Sequence, residues 1–418
     1  MKNINKECSP HLIFPEFIKK KWHFLPLKNI ATIRNERAGN KKCILLSVSS
    51  GIGLISQKEK FGREIAGKQY ERYFLVYEND FVYNKSATKT YPQGTINLYH
   101  NKELAAVPSS IFMCFYVDFN IINVFYLKYL FEFNIHGKWL KNFITTGARA
   151  HGSFNIDSKD FLSIPIPIPL GEKSLSEQQK IADCLSSLDE LIEAHEQKLD
   201  ALKQHKKGLM QRLFPAEGET TPRWRFPEFR NAGEWEKTRL GSLIAVAMCK
   251  RIFSEETSTE GDIPFYKIGT LGKTPDAFIS YDLFQNYKNK YKYPKKGEIL
   301  LTCSGTIGKI IRYSGEDAYY QDSNIVWLEN DQNIIINDFL FFFLSKFNWT
   351  NLNVTTITRI YSDDLKKILL FFPKNHNEQQ KIADCLISLD EQIKAQEEKI
   401  SALKEHKKGM IQQLFPLL

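Results

Sequence analysis

At 418 residues the chain is too long for one ordinary hydrophobic core, so two or three domains are expected. Its 43% hydrophobic and 25% charged content is that of ordinary globular protein, and 13% aromatic residues, with 30 Phe and 18 Tyr, suit sheet-rich domains. The net charge of +9 favours a polyanionic partner without requiring one, because mild basicity is common among cytosolic proteins.

Residues 1–7 carry no apolar signal core, and no window approaches the roughly 18 apolar residues of a membrane span. A short entry motif follows, Phe14-Pro15-Glu16-Phe17 with Trp22 and Leu27 downstream. The first block has no long amphipathic pattern; it shows short β-like runs at 43–46, 73–77, 80–83 and 111–117, and one helix at 121–133. Residues 177–215, EQQKIADCLSSLDELIEAHEQKLDALKQHKKGLMQRLFP, form a long helical segment. The entry motif then returns as Phe226-Pro227-Glu228-Phe229 with Trp235 and Leu240. The second block has β-like runs at 263–268, 298–302, 307–313 and 324–328 and a helix at 337–348. Residues 378–416, EQQKIADCLISLDEQIKAQEEKISALKEHKKGMIQQLFP, repeat the long helix: 28 of the 39 positions are identical, without a gap, at an offset of 201.

Both long segments carry a coiled-coil seam. In the first copy it runs through Ile181, Leu185, Leu188, Ile192, Leu199 and Leu202, and in the second through Ile382, Leu386, Leu389, Ile393, Ile400 and Leu403. Spacings of four and three continue over about five heptads. His195 and Gln396 hold equivalent seam positions and read as a polar layer that fixes register. Lys206 and Lys407 read as lysines that snorkel from the seam end. Ser176 and Asn377 are candidate N-caps, Pro215 and Pro416 mark the ends, and each helix should run to about 55 Å. The simplest pairing is antiparallel within the chain. It predicts an α+β protein in which two mixed α/β domains are separated by two long helices, related by a pseudo-two-fold axis. The expected segments are 1–174, 175–215, 216–376 and 377–418. Dyad-related readers of DNA address half-sites about 34 Å apart, a spacing that helices of this length can hold.

The block loops combine Lys or Arg with hydroxyls and amides, the chemistry that meets phosphates and base edges. In the first block the candidates are Lys85, Ser86, Lys89, Thr90 and Tyr91, then Thr145, Thr146, Arg149 and His151. In the second they are Lys267, Thr270, Lys273, Thr302, Ser304, Thr306, Lys309, Gln321, Ser323 and Asn324, followed by Thr355, Thr356, Thr358, Arg359 and Tyr361. Arg149 and Arg359 stand out because each sits in a Thr-rich loop placed alike in its block. Arginine is expected to pair with guanine, and Asn or Gln with adenine. An ordinary surface loop accounts for any one of these residues as well.

Catalytic motifs do not emerge. The run from Thr302 to Lys309 looks like a phosphate loop, but Cys303 stands where glycine is needed and Ile310 where Ser or Thr is needed. Gly51-Ile-Gly53 lacks a third glycine, and Pro275-Asp276 is not followed by the acidic-x-Lys of a common nuclease core. The seven cysteines, an odd number with no C-x-x-C pair, point to a reducing cytoplasm, with neither a disulfide framework nor a metal site.

These features together resemble the specificity (S) subunits of type I restriction–modification systems over nearly the whole chain. The carriers are EQQKIADCLSSLDELI and EQQKIADCLISLDEQI, each with its Lys-rich helix and Leu-Phe-Pro, the FPEF…W…L entry motif, and Lys296-Gly-Glu-Ile-Leu-Leu301. Asn79-Asp80-Phe-Val-Tyr-Asn84-Lys85 is similar to a variant of that last run. The resemblance implies target recognition domains that each read half of a bipartite double-stranded DNA site. It further implies helices that set the spacing and dock methyltransferase (M) subunits, with restriction (R) subunits joining for cleavage. S-adenosylmethionine, ATP and Mg²⁺ would belong to those partners, and this chain would be non-catalytic. Competing readings are a coiled-coil adaptor that binds proteins and a stand-alone nuclease with an unfamiliar site.

Overall fold

The structure is a computed structural model. It describes residues 8–416 except 19–20, 50–52, 66, 87–90, 144–155, 217, 306, 323 and 350–358. The chain divides into two compact units, 1–196 with 398–418, and 197–397. Each boundary in the first helix recurs 201 residues later in the second, which is the offset of the repeat.

In chain order the first unit contains β1 (Trp22–Pro26), β2 (Ala31–Arg34), β3 (Ile44–Ser49), β4 (Gly53–Ser56) and α1 (Gln57–Phe61). Next come β5 (Phe74–Val76), β6 (Phe81–Asn84), β7 (Thr95–Leu98), β8 (Ala105–Val107) and β9 (Phe112–Val117). Helices α2 (Val124–Glu132), α3 (Ile135–Leu140) and α4 (Ser158–Leu162), strand β10 (Pro165–Pro169) and the long α5 (Ser174–Leu213) follow, the part of α5 from 197 on belonging to the second unit. Two four-stranded sheets, ordered β2-β9-β6-β7 and β4-β3-β8-β5, make the block. In its core Phe81 stacks on Phe115 and Tyr83 on Phe161, while Phe131 meets Phe81 edge-on, as does Phe161 with Phe115.

The second unit begins with β11 (Glu236–Arg239), α6 (Leu240–Leu243), β12 (Ala245–Ala247), β13 (Ile263–Tyr266), β14 (Phe278–Ile279) and α7 (Tyr281–Lys290). It continues through β15 (Ile299–Thr302), β16 (Ile310–Arg312), β17 (Tyr319–Tyr320) and β18 (Ile325–Glu329). Helices α8 (Asn337–Lys346) and α9 (Ser362–Lys366), strand β19 (Leu369–Phe372) and α10 (His376–Leu414) complete it, the part of α10 from 398 on belonging to the first unit. Its sheets are β12-β18-β15-β16 and β14-β13-β17. The mixed α+β class is therefore as expected, and the principal strands and both block helices fall where the sequence placed them.

The long helices pair antiparallel, and each unit contains one stretch of that pairing. In the first unit Lys404 meets Glu196 at 2.7 Å and Lys407 meets Asp189 at 2.6 Å. In the second, Lys203 meets Glu397 at 2.7 Å and Lys206 meets Asp390 at 2.5 Å. Every expected seam residue is buried or half-buried, while the residues between them are largely exposed. Gln396 is buried in the seam and His195 is half-buried, consistent with a polar layer. Lys206 and Lys407 do more than snorkel: each ion-pairs with the facing helix. Both helices begin before the expected caps, α5 two residues before Ser176, at Ser174, and α10 one residue before Asn377, at His376. At α10 it is the Asn375 side chain that accepts from the Asn377 N–H, so the cap lies at 375 and not at 377. All seven cysteines are free thiols.

Candidate nucleic-acid interface

Topology brings the loops of the second unit together. Strands β13 and β17 run parallel, pairing Phe265 with Tyr319 and Tyr266 with Tyr320, so their following loops emerge side by side. Gln321 N–H donates to the Tyr266 carbonyl at 2.9 Å, and Ile268 N–H donates to Gln321 Oε1 at 3.4 Å. Strand β18 pairs with β15, which lays the 321–324 loop against the 303–309 turn, and Cys303 N–H donates to the Asn324 carbonyl at 2.8 Å. Residues 359–360 close the group: Ser304 forms a bridge with Arg359, and Ile360 N–H donates to the Cys303 carbonyl at 2.8 Å.

Four segments thus converge, carrying Lys267, Thr270, Lys273, Ser304, Lys309, Gln321, Asn324 and Arg359. Tyr361 is exposed beside them, its ring 5.7 Å from the Arg359 guanidinium. The glycines of the turn serve its geometry: Gly305 and Gly308 have φ of 64° and 78°, and a Cβ on Gly308 would lie 2.3 Å from the Trp349 ring. The likeness to a phosphate loop comes from this requirement.

Two of the candidates work inside the protein. Thr302 is fully buried, and its hydroxyl accepts from the Lys309 N–H at 3.1 Å. The Lys309 ammonium donates to the Leu271 carbonyl and so ties the 302–309 turn to the 267–273 loop. Burial, and then the neighbouring Lys273, hold Lys309 below the ordinary lysine range. Burial pushes the Cys303 thiol up to about 11, against the pull of Arg359. Lys267 lies 3.2 Å from Asp276, and Arg251 donates to Asp322 at 2.8 Å at the edge of the group.

In the first unit Ser86 and Tyr91 line a cleft of about 780 Å³ with Asn84, Thr95 and Asn97, opposite lysines 138, 404, 407 and 408. Lys85 is half-buried, and burial lowers its pKa. Lys407 is held by Asp189 and by Glu132 at 2.8 Å. Burial alone would raise the Asp189 carboxyl, but Lys407 and the Tyr129 hydroxyl bring it below the ordinary carboxylate range. The expected residues Lys89, Thr90, Thr145, Thr146, Arg149, His151, Thr306, Ser323, Thr355, Thr356 and Thr358 lie outside the described residues. Of the cleft lysines of α10, Lys407 and Lys408 belong to the repeat's His-Lys-Lys-Gly run and Lys404 stands just before it.

Both blocks are mounted on their helices by the same contacts. Trp22 Nε1–H donates to Glu177 at 3.1 Å, and Trp235 Nε1–H to Glu378 at 3.4 Å. Buried Gln178 accepts from Asn123 N–H at 2.9 Å and donates to the Ile121 carbonyl at 3.1 Å. Buried Gln379 accepts from Ile336 N–H at 2.9 Å and donates to the Ile334 carbonyl at 2.9 Å. Glu16–Lys180 and Glu228–Lys381 each stand at 3.5 Å. These contacts explain why the entry motif and the EQQK start of the repeat occur together.

Among the described residues no cluster of three or more His, Cys, Asp or Glu could hold a metal ion, and no helix is long and apolar enough to cross a membrane.

A family model described as type I restriction modification DNA specificity domain matches residues 19–204 and again 232–405. A Haemophilus influenzae protein named for a type I restriction enzyme specificity subunit is 42% identical over 224 residues, 53% of this chain and 55% of that one. The MjaVIII specificity subunit of a type I restriction enzyme from Methanocaldococcus jannaschii is 29% identical over 180 residues, 41% of each chain. The chain thus spans about half the length of these relatives. In fold it is similar to an S subunit of a type I restriction–modification system from M. genitalium, with a TM-score of 0.60 at 16% identity, covering 98% of this chain and 100% of that one. A chain from a structure of type I restriction–modification complex assembly and conformational transition matches with a TM-score of 0.52 at 15% identity, covering 96% and 98%.

Proposed function

Because the chain belongs to the type I restriction modification DNA specificity family, we propose that each of its units reads one half of a bipartite duplex site. In this reading the long helices set the gap between the halves and dock methyltransferase subunits. Those partners methylate adenine in each half-site, and restriction subunits add ATP-dependent cleavage. S-adenosylmethionine, ATP and Mg²⁺ act on the partners, and this chain contributes recognition without catalysis.

One observation carries the reading. Two blocks with different loops are mounted on nearly identical helical segments by the same Trp–Glu, Gln–backbone and Glu–Lys contacts. A fixed mount with exchangeable loops suits two specificities held at one spacing. The loops of the second unit add the required chemistry, cations and amides brought to one face.

Sequencing modified adenines in DNA from cells that express this chain with its methyltransferase tests the proposal. The expected result is a motif of two short halves separated by a fixed gap. A single contiguous motif, or none, overturns it. The spacing role has its own test. Four residues inserted at both 196/197 and 397/398 keep the contacts within each unit and add about 6 Å of helix. The gap should then lengthen by about one to two base pairs; an unchanged gap in a folded variant removes the helices from that role.

A further inference from the structure

The cleft of the first unit has two walls of different chemistry. One carries Asn84, Ser86 and Tyr91, from the end of β6 and the loop after it, with Thr95 and Asn97 on β7. The other carries Lys138 from α3 and lysines 404, 407 and 408 from α10. Among the described lining residues Glu132 is the one carboxylate against those four lysines.

Ion pairs within the protein leave part of that charge uncompensated. Lys407 is taken by Glu132 at 2.8 Å and by Asp189 at 2.6 Å, and Lys404 by Glu196 at 2.7 Å. Lys408 stands 3.7 Å from Glu405, but both side chains are largely exposed and water screens the pair. No carboxylate of the described residues pairs with Lys138, whose ammonium lies 4.0 Å from the centre of the Phe133 ring. Lys138 stays accessible, yet partial burial lowers its pKa, with no acidic neighbour to offset the effect.

Packing brings the two uncompensated cations to one place. The Phe133 ring that supports Lys138 packs against Phe415, just beyond the end of α10, with ring centres 6.2 Å apart. Leu414 is fully buried in the same core, so the last turns of α10 are fixed against the block. An anion entering the cleft would meet one ammonium from the block and one from the repeated helix. A cleft of about 780 Å³ lined by lysines, amides and hydroxyls differs from the mostly apolar sites that enclose small molecules. Lysine contacts to phosphate fix the register of a protein on a duplex while neighbouring groups read the bases. Here the lysines stand across the cleft from the loop expected to read them.

We infer that this cleft grips the sugar–phosphate backbone of the duplex, with Lys138 and Lys408 meeting phosphates, an inference that rests on the DNA reading proposed above. The second copy of the repeat then touches DNA as well as setting the spacing, and the grip of the first unit is completed by α10.

Amine acylation read by mass spectrometry tests this on the chain assembled with its methyltransferase subunits, with and without a mixed-sequence duplex at low salt. Phosphate contacts do not depend on sequence, so no target site need be known. Lys138 and Lys408 should react in the free assembly and lose most of that reactivity when duplex is bound. Lys138→Gln and Lys408→Gln should each lower the slope of log binding constant against log salt by about 1, and Lys138→Arg should keep the wild-type slope. Duplex binding that leaves both lysines equally reactive overturns the inference and spares the DNA reading. An unchanged slope in a Lys138→Gln variant with a wild-type unfolding midpoint does the same. Lysines already unreactive in the free assembly would place a partner subunit in the cleft, which also overturns it. Inorganic triphosphate is the second probe: protection by it and not by duplex assigns the cleft to a free polyphosphate instead. An assembly that binds no duplex overturns the DNA reading itself, and this inference with it.

Discussion

Glu177 and Glu378 occupy the same place in the two copies of the repeat and are buried to the same degree, 2% and 1% exposed, yet they are held differently. Both accept from a tryptophan of the entry motif. Glu378 also receives a two-point clamp from Arg225, at 2.8 and 2.6 Å. The residue at the position of Arg225 in the first entry motif is Ile13, which cannot supply a charge. An identical helix sequence therefore does not imply an identical mount. The repeat supplies the carboxylate, and the segment before each block decides what meets it.

The largest effect should come from breaking that clamp. Arg225→Met leaves Glu378 buried without its cation and should cost the second unit about 3–5 kcal/mol. Denaturant unfolding followed by probes in each unit would show it, with the first unit unaffected. Adding Glu378→Gln should recover much of the loss; no recovery would mean that Arg225 acts through packing alone.

A second difference between the units appears with pH. His136 is wholly buried in the first unit, its Nε2 3.2 Å from the Gly94 carbonyl, and burial lowers its pKa from 6.5 to about 4. Below pH 6.5 the unfolded chain takes up a proton that the folded unit refuses. Stability is therefore full above that pH and falls as acid is added down to about pH 4. At pH 5 the loss should be about 2 kcal/mol in the first unit, absent from His136→Gln and readable as a drop in its unfolding midpoint relative to pH 7. A first-unit midpoint that is unchanged by acid would show that His136 is not buried as described.

The shared part of the mount predicts equality. Gln178→Met and Gln379→Met each strip a backbone donor and acceptor of their partner and should each cost about 1–2 kcal/mol in their own unit, Gln379→Met towards the upper end because it also leaves the Pro373 carbonyl without its donor. A large inequality between the two would show that the units are mounted less alike than these bonds suggest.

Much of this architecture was legible in the sequence, for definite reasons. The repeat, its seam and its end signals are local patterns, and Ile181, Leu185, Ile382 and Leu386 are buried where the spacing placed them. The 165–169 run was missed because proline cannot donate to a ladder. It forms β10 all the same: Pro165, Pro167 and Pro169 alternate with Ile166 and Ile168 along the pairing with β1. The candidate face was legible as a set of residue types. How Gln321 is held was not, because its Oε1 accepts from the Ile268 backbone N–H, 53 residues away in sequence. Thr302 looked like its neighbours in composition and differs from them only in being buried. Arg149 lies outside the described residues, so of the two favoured arginines only Arg359 is placed.

Leu414 and Phe415 sit in the core of the first unit, with Phe415 5.3 Å from the Tyr126 ring. They are synthesised after the whole of 197–397. On the ribosome the first block therefore emerges first and is completed last. Its helix waits with Ile181 and Leu185 short of their packing partners while the second unit has all of its residues and can fold. The first unit can be completed only after the second has been synthesised, so it is the one most exposed to a stall in elongation.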